Sequence, residues 1–135
     1  MILVDTSVWI ELINGRLGRR LGGDLLLQFV TCGPILQEVV QGLREIPASD
    51  SFRDSLLAIP CLSNPLPCGL FLQAADIYRR GQQKGYTVRS SADCLIAAIA
   101  IENKLPVWHR DRDFDVIARY TGLYASQRLE RLTVG

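Results

Sequence analysis

The first ten residues, Met1-Ile2-Leu3-Val4-Asp5-Thr6-Ser7-Val8-Trp9-Ile10, restrict the fold more than any other stretch of the chain. Ile2-Leu3-Val4 is a short apolar run with β-branched residues at both ends, the pattern of a strand buried on both faces. Asp5 follows at once, and Thr6 and Ser7 are hydroxyl residues able to cap a helix over Val8–Ile13. A carboxylate at the end of a first, central strand stands where open α/β sheets place their ligands. Taken alone, Asp5 is explained equally well as a turn or cap residue.

The remainder of the chain continues an α/β pattern. A second strand is expected near Gln28–Cys32, followed by a helix opened by Gly33-Pro34, with proline suited to a first turn. In that helix Ile35, Val39 and Leu43 form one apolar stripe and Leu36 and Val40 an adjacent one, with Glu38 at their border. Residues 14–24, rich in glycine and arginine, read as a loop with a short helical turn. Phe52, Ser55, Leu56 and Ile59 continue a helix that ends at Pro60, and Leu62–Pro67 is a proline-punctuated connector. Gly69–Lys84 has helical period. Ser90 caps an alanine-rich buried helix that begins near Asp93, and Leu105–Trp108 forms a further strand. A weak last strand is expected near Arg131–Val134. At 135 residues this amounts to one domain, 1–135, with a central, mostly parallel sheet between layers of helices.

Composition narrows the chemistry. Fifteen basic against 14 acidic residues give a formal charge of +1, which excludes a grossly basic nucleic-acid binder but not a local patch. Arg16, Arg19, Arg20, Arg79, Arg80, Arg89, Arg110 and Arg112 fall in expected loops or exposed faces, a basic rim around an acidic centre. No apolar run reaches membrane-spanning length and the chain opens directly on a core strand, so a cytoplasmic location and no membrane partner are expected. Cys32, Cys61, Cys68 and Cys94 have no C-x-x-C spacing, and His109 is the single histidine, which disfavours zinc. Cys32 and Cys94 lie in apolar elements and read as buried thiols.

The acidic residues carry the argument. Asp5 follows a strand, Glu38 borders a helix core face, Asp93 begins a helix, and Asp111 and Asp113 follow the strand ending at Trp108. Each has an ordinary explanation. Glu38 suits a helix first turn, Ser90-x-x-Asp93 matches a capping box, and Asp111-x-Asp113 is a solvated charge run or a loop whose alternate side chains reach one cation. Parallel topology, however, brings strand C-termini to one edge. Carboxylates gathered there repel one another unless divalent cations neutralise them, and an all-oxygen ligand set favours Mg2+ or Mn2+. Such sites activate water for phosphodiester hydrolysis.

Asp5-Thr6-Ser7 after the first strand, Gln37-Glu38-Val39-x-x-Gly42, Arg89-Ser90-x-x-Asp93-Cys94-Leu95-Ile96-Ala97 and His109-x-Asp111-x-Asp113-Phe114 together resemble the PIN-domain ribonucleases. More closely they resemble the VapC toxins of bacterial type II toxin–antitoxin pairs, from Ile2 to about Leu123. Order and spacing carry the likeness, not any single motif. The resemblance implies a PIN-like α/β/α sandwich and an acidic metal-binding set of Asp5, Glu38, Asp93 and Asp113, with Asp111 beside it and Ser7 in support. It also implies Mg2+-dependent cleavage of RNA, often structured RNA such as tRNA or rRNA, with inhibition of translation. A homodimer and a cognate VapB-type antitoxin follow as expected partners. Many relatives carry Asn three residues before the Asp-Phe pair, where this chain has Arg110, which leaves Asp111, Asp113 or both as ligands. Both are expected to bind metal, with Asp113 preferred as the match to the Asp-Phe motif. Trp9, Ile10 and Leu12 are compatible either with a partner groove or with core packing.

Other classes fit less well. A haloacid-dehalogenase-type phosphatase resembles Asp-x-Asp after its first strand, and Ser7 occupies the second position here. A response-regulator receiver would need a phospho-accepting Asp on a middle strand and a late lysine, for which Lys104 is poorly placed. A PIN-like module that only binds RNA or protein stays open as the non-enzymatic alternative.

Overall fold

In the computed structural model, which describes residues 1–15, 23–43 and 49–133, five strands form one parallel sheet. They are β1 (Ile2–Val4), β2 (Phe29–Cys32), β3 (Cys61–Leu62), β4 (Val107–Trp108) and β5 (Ala125–Ser126), in the spatial order β3-β2-β1-β4-β5. The first strand is thus the middle one. Leu3 pairs with Val30 on one side and Val107 on the other, and all three residues of β1 are buried. Such runs need helices on both faces, and the connections supply them. The helices are α1 (Thr6–Ile13), α2 (Gly23–Leu26), α3 (Gly33–Gly42), α4 (Ser49–Leu57), α5 (Cys68–Gln83), α6 (Ser91–Glu102) and α7 (Arg112–Ala118), with a 3-10 turn at Leu129–Arg131.

The deepest helix is α6. Ile96, Ala97, Ala98, Ile99 and Ala100 are all buried, so its apolar surface runs around the helix instead of forming one stripe. Small alanines let the backbone approach its neighbours, and α5 packs along it with Leu70, Ala74 and Ile77 inward. In α3 the stripe of Ile35 and Val39 is buried as its spacing requires, while Leu43 falls just past the helix as its C-cap. Among the described residues no helix is long and apolar enough to cross a membrane. All four cysteines are free, and Cys32 and Cys94 are buried as expected.

Three sequence expectations are corrected. Cys61-Leu62 is a strand and not the start of a connector: Thr31 N donates to Pro60 O at 2.9 Å and sets the β2–β3 register. Two residues before Ser63 are too few to show a periodicity. The last strand is Ala125–Ser126, held by Val107 N to Tyr124 O and His109 N to Ser126 O, not Arg131–Val134. Leu129 and Leu132 are instead buried one turn apart around the 3-10 turn, and Val134 lies outside the described residues. The aspartate run is also no loop. Asp111 caps α7, whose Phe114 and Ile117 enter the core at helical spacing. Arg16, Arg19 and Arg20 lie outside the described residues.

Trp9 belongs to the core. It is 3% exposed, donates Nε1–H to Val4 O at 3.1 Å, and meets Phe29 and Phe52 edge-on. Ile10 is exposed and Leu12 partly buried.

One close approach is set by a glycine. A Cβ on Gly81 of α5 would stand 2.5 Å from Tyr120 Oη and 3.0 Å from its Cζ. Tyr120 has little room to retreat, because its hydroxyl donates to Ile77 O at 2.8 Å and its ring stacks on Tyr86 at 5.5 Å. Alanine in a helix interior ordinarily gains about 1 kcal/mol over glycine. Here overpacking should prevail, and Gly81→Ala is expected to lower stability by about 1–3 kcal/mol in urea unfolding. The loss should shrink when Tyr120→Phe is combined with it, and additive losses would show that this contact is not the cause.

Candidate active site

The C-terminal ends of β1 and β4 and the start of α6 converge on one acidic cluster. Asp5 leaves β1 and caps α1, accepting from Ser7 N at 3.0 Å and from Ser7 Oγ at 2.5 Å. Ser7 Oγ in turn accepts from Arg110 N at 2.9 Å, tying the β1 end to the β4 end. The cap role and a site role therefore coincide in Asp5. Thr6 Oγ1 donates to Glu38 Oε1 at 3.3 Å, joining α1 to the half-buried carboxylate of α3. Asp113, on the first turn of α7, accepts from Arg89 N and Ser90 N, each at 3.1 Å. Asp111 Oδ1 accepts from Asp113 N at 3.0 Å as the α7 cap.

Asp93 stands differently. Ser90 makes no side-chain capping bond, so the capping box read from the sequence does not form. The Asp93 side chain turns inward, 5% exposed, and one carboxylate oxygen each from Asp93, Asp111 and Asp113 lie within 4.8 Å of one another. Asp5 and Glu38 are outside that tight group but couple to it by charge.

The electrostatic strain is uneven. Burial, and then the charges of Asp5 and Asp111, push the Asp93 carboxyl up to about 9. Burial also raises Asp5, against the lowering effect of its Ser7 bonds. Glu38 is raised by burial and by Asp5. Asp5 Oδ1, Asp93 Oδ2 and Asp113 Oδ1 are buried carboxylate oxygens that accept no hydrogen bond. Buried acceptors in native proteins almost always have partners, and unpartnered oxygens on two acids of the tight group, with a third on neighbouring Asp5, suit a cation.

Two arginines and the histidine complete the surroundings. Arg89 reaches Asp113 Oδ1 at 3.5 Å and Asp111 Oδ1 at 3.7 Å, and Arg110 pairs with Glu11 at 3.2 Å. Fully buried His109 accepts Asp111 N on Nδ1 at 3.2 Å, and its Nε2 lies 3.3 Å from Asp115 Oδ1. An accepting Nδ1 leaves the proton on Nε2, and burial holds the ring below its ordinary pKa, hence neutral. The sequence pointed to all five carboxylates and Ser7, but not to Arg89, Thr6 or His109 as neighbours holding them.

A PIN-domain family model matches residues 2–120. The chain belongs to the PIN-domain family. It is 39% identical over 132 residues to Ribonuclease VapC11 of Mycobacterium tuberculosis, and equally to VapC ribonuclease Mb1587 of Mycobacterium bovis. Each match covers 93% of this chain and 98% of the relative. The same PIN fold is found in VapBC-1 from nontypeable Haemophilus influenzae, with a TM-score of 0.65 at 17% identity over 93% of this chain and 97% of that one. FitAcB from Neisseria gonorrhoeae gives 0.63 at 20% identity, covering 93% and 96% of the two chains.

For a PIN domain the donor set fits a divalent metal: the group close enough to share an ion is made of hard carboxylate oxygens, partly buried, and among the described residues includes no thiol or imidazole. Asp93, Asp111 and Asp113 are close enough to share one ion, with Asp5 and Glu38 adding negative potential.

The raised Asp93 carboxyl carries a stability consequence with a definite sign. An unfolded Asp titrates at about 3.9. Between that value and the folded value of about 9, the unfolded state releases a proton that the folded state keeps. Metal-free stability therefore falls as pH rises through that window. Asp93→Asn removes this dependence, and its amide can still donate to Asp113. In EDTA, the melting temperature of the wild type should drop more between pH 5.5 and 8 than that of Asp93→Asn. At pH 8 the variant should be the more stable by at least about 1 kcal/mol. Parallel profiles would refute the assignment of the strain to Asp93.

Proposed function

We propose that the chain is a metal-dependent endoribonuclease and the toxin of a VapBC-type toxin–antitoxin pair. The observation that carries this reading is the meeting of Asp93, Asp111 and Asp113 within 4.8 Å, beside buried and unpartnered oxygens. The identity of 39% to two proteins named as VapC ribonucleases supports the substrate class. Structured RNA, tRNA or rRNA, is the proposed substrate, with Mg2+ as the cofactor and Mn2+ able to replace it. Residues 1–135 act as one domain, as a homodimer in the cytoplasm, and a VapB-type antitoxin blocks the site. The neighbours titled VapBC-1 and FitAcB favour that last assignment.

Asp5, Asp93, Asp111 and Asp113 would hold the cation, with Glu38 at the border of the site. A divalent ion there supplies an activated water and offsets charge growing on the phosphoryl group. The protein's own groups do the rest. Ser7 fixes the rotamer of Asp5 through Oδ2, which leaves Oδ1 free for the ion. Backbone N–H groups of Arg89 and Ser90 fix Asp113 through Oδ2 in the same way, leaving its Oδ1. Glu38, raised toward neutrality by burial and Asp5, is the carboxylate suited to take a proton from the attacking water. Asp5, Glu38, Asp93 and Asp113 are the proposed catalytic set.

Incubation of total RNA with the purified chain in Mg2+ or Mn2+ should give discrete fragments. EDTA should abolish them, and Asp5→Asn should slow their appearance more than about a hundredfold without loss of fold. Fragments that persist in both controls, or no cleavage by a folded, Mn2+-loaded chain in any RNA pool, would overturn the reading, the latter in favour of a module that only binds. A subtler effect is expected at Ser7. Ser7→Ala should reduce cleavage by about ten- to a hundredfold, as loss of a group orienting a metal ligand does. Ser7→Thr, which keeps the hydroxyl, should restore most of it.

A further inference from the structure

Arg89 stands in the wrong place for a simple phosphate clamp. Its guanidinium lies over the two carboxylates that the cation would need, Nε 3.5 Å from Asp113 Oδ1 and Nη2 3.7 Å from Asp111 Oδ1. A committed arginine–carboxylate pair is forked and short, about 2.7–2.9 Å. Here neither contact is a hydrogen bond: Asp113 Oδ1 has no hydrogen-bond partner although Arg89 is beside it. The arginine side chain is 59% exposed, while Asp113 is 1% exposed. The charge is thus held loosely from the solvent side against a buried carboxylate. The Arg89 backbone is held firmly, its N–H donating to Asp113 Oδ2 at 3.1 Å. A fixed backbone under a loosely held, exposed guanidinium is the construction of a pivot.

We propose that Arg89 is the resident counter-ion of the metal-free site, which gives up Asp111 and Asp113 when the divalent cation enters and is thereby released to bind an RNA phosphate. This rests on the metal-dependent ribonuclease reading above and adds an order to it: cation first, then substrate. Two like-signed groups cannot share Asp113 Oδ1 and the nearby Asp111 oxygen at full strength, so the ion displaces the guanidinium outward. Displaced, Arg89 presents a planar set of donors at the rim, on a pivot two residues before α6 begins. The site then links metal occupancy to RNA affinity through one side chain.

The test separates this proposal from the one it rests on. Mn2+ binding is titrated by calorimetry in the absence of RNA for wild type, Arg89→Gln and Arg89→Lys. A nearby unit charge alters divalent-ion affinity about tenfold in a solvent-exposed setting. Arg89→Gln is therefore expected to bind Mn2+ about three- to tenfold more tightly than wild type. Arg89→Lys, which keeps the charge, should stay near the wild-type value. If the wild type binds no Mn2+, the metal site itself fails. If it binds and Arg89→Gln binds no more tightly, or Arg89→Lys tightens as much as Arg89→Gln, the counter-ion proposal fails while the metal site stands.

The release is read with a nuclease-resistant 2′-O-methyl RNA oligonucleotide. With Mn2+ present, the slope of log affinity against log salt should be steeper for wild type than for Arg89→Gln by about 0.7, one single-strand phosphate contact. In EDTA the two slopes should coincide. A difference of the same size in EDTA would mean that Arg89 is free for RNA at all times, and would overturn the ordered release.

Discussion

The mutual repulsion of carboxylates buried at one edge of a parallel sheet is the constraint to which the rest of the structure answers. Asp5, Asp93 and Asp113 are 3%, 5% and 1% exposed, and each is close to at least one other acid. Charged carboxylates in such surroundings lose hydration that nothing apolar replaces. The fold does not spread the remedy evenly. Asp113 receives two backbone N–H bonds and Asp5 receives the Ser7 amide and hydroxyl, but in each case on Oδ2 alone. The other oxygen is left bare. Donors hold each side chain in position without satisfying it, which is the arrangement expected of ligands that await an ion.

That arrangement needs a rigid frame, and the sequence supplies one at small cost in chain length. The strand that delivers Asp5 is only three residues long, yet it is the middle strand and is buried on every residue. Trp9 locks α1 back on it through the Val4 carbonyl, so the Asp5–Ser7 turn is bounded by core contacts on both sides. On the opposite flank α6 brings Asp93 in at its first turn because alanines behind it allow close packing. The inward turn of Asp93 follows from its place on the helix: Ser91 is exposed and Ala92 and Leu95 are half-buried, whereas Asp93 lies on the buried face continued by Ile96, Ala97 and Ala100.

Much of this was legible in the chain. The strand–Asp–helix opening, the Ile35–Val39 stripe and the buried alanine helix follow from period, and parallel topology points to an acidic edge at which Asp93, Asp111 and Asp113 meet. The edges of the sheet did not. Cys61-Leu62 and Ala125-Ser126 are two-residue strands whose pairing is fixed by neighbouring backbone groups, and two residues carry no period to read. At α7 the alternating aspartates of 111–115 masked a helix, because Asp111 as a cap and Phe114 and Ile117 as core residues are also compatible with a loop in sequence. At Ser90 the local motif suggested a cap that tertiary packing overrode. In the site itself the acids were legible as charges in improbable positions. Arg89 was legible as part of a basic rim and His109 as part of a motif, but not which of their atoms faces which carboxylate.

His109 shows why such second-layer details decide the chemistry. Its Nδ1 accepts the Asp111 backbone N–H, which requires the proton on Nε2, and Asp115 Oδ1 lies 3.3 Å from that atom. A protonated ring would turn Nδ1 into a donor facing a donor, so the Asp111 backbone contact survives only while the imidazole is neutral. Complete burial enforces that state by disfavouring the charged form. The ring also packs 5.3 Å from Phe114, on the same helix whose first turn carries Asp113. One neutral histidine thus meets α7 at two points, the Asp111 backbone and Phe114, while the Asp111 cap bond to Asp113 N sets the spacing of the two acids. The acids of β1 and α6 are placed by the sheet and core, whereas on α7 the ring holds the Asp111 backbone and the Arg89 and Ser90 amides hold the Asp113 carboxylate. The loosely held Arg89, 59% exposed, is by contrast a charged group at the cluster that no side-chain hydrogen bond among the described residues holds in place.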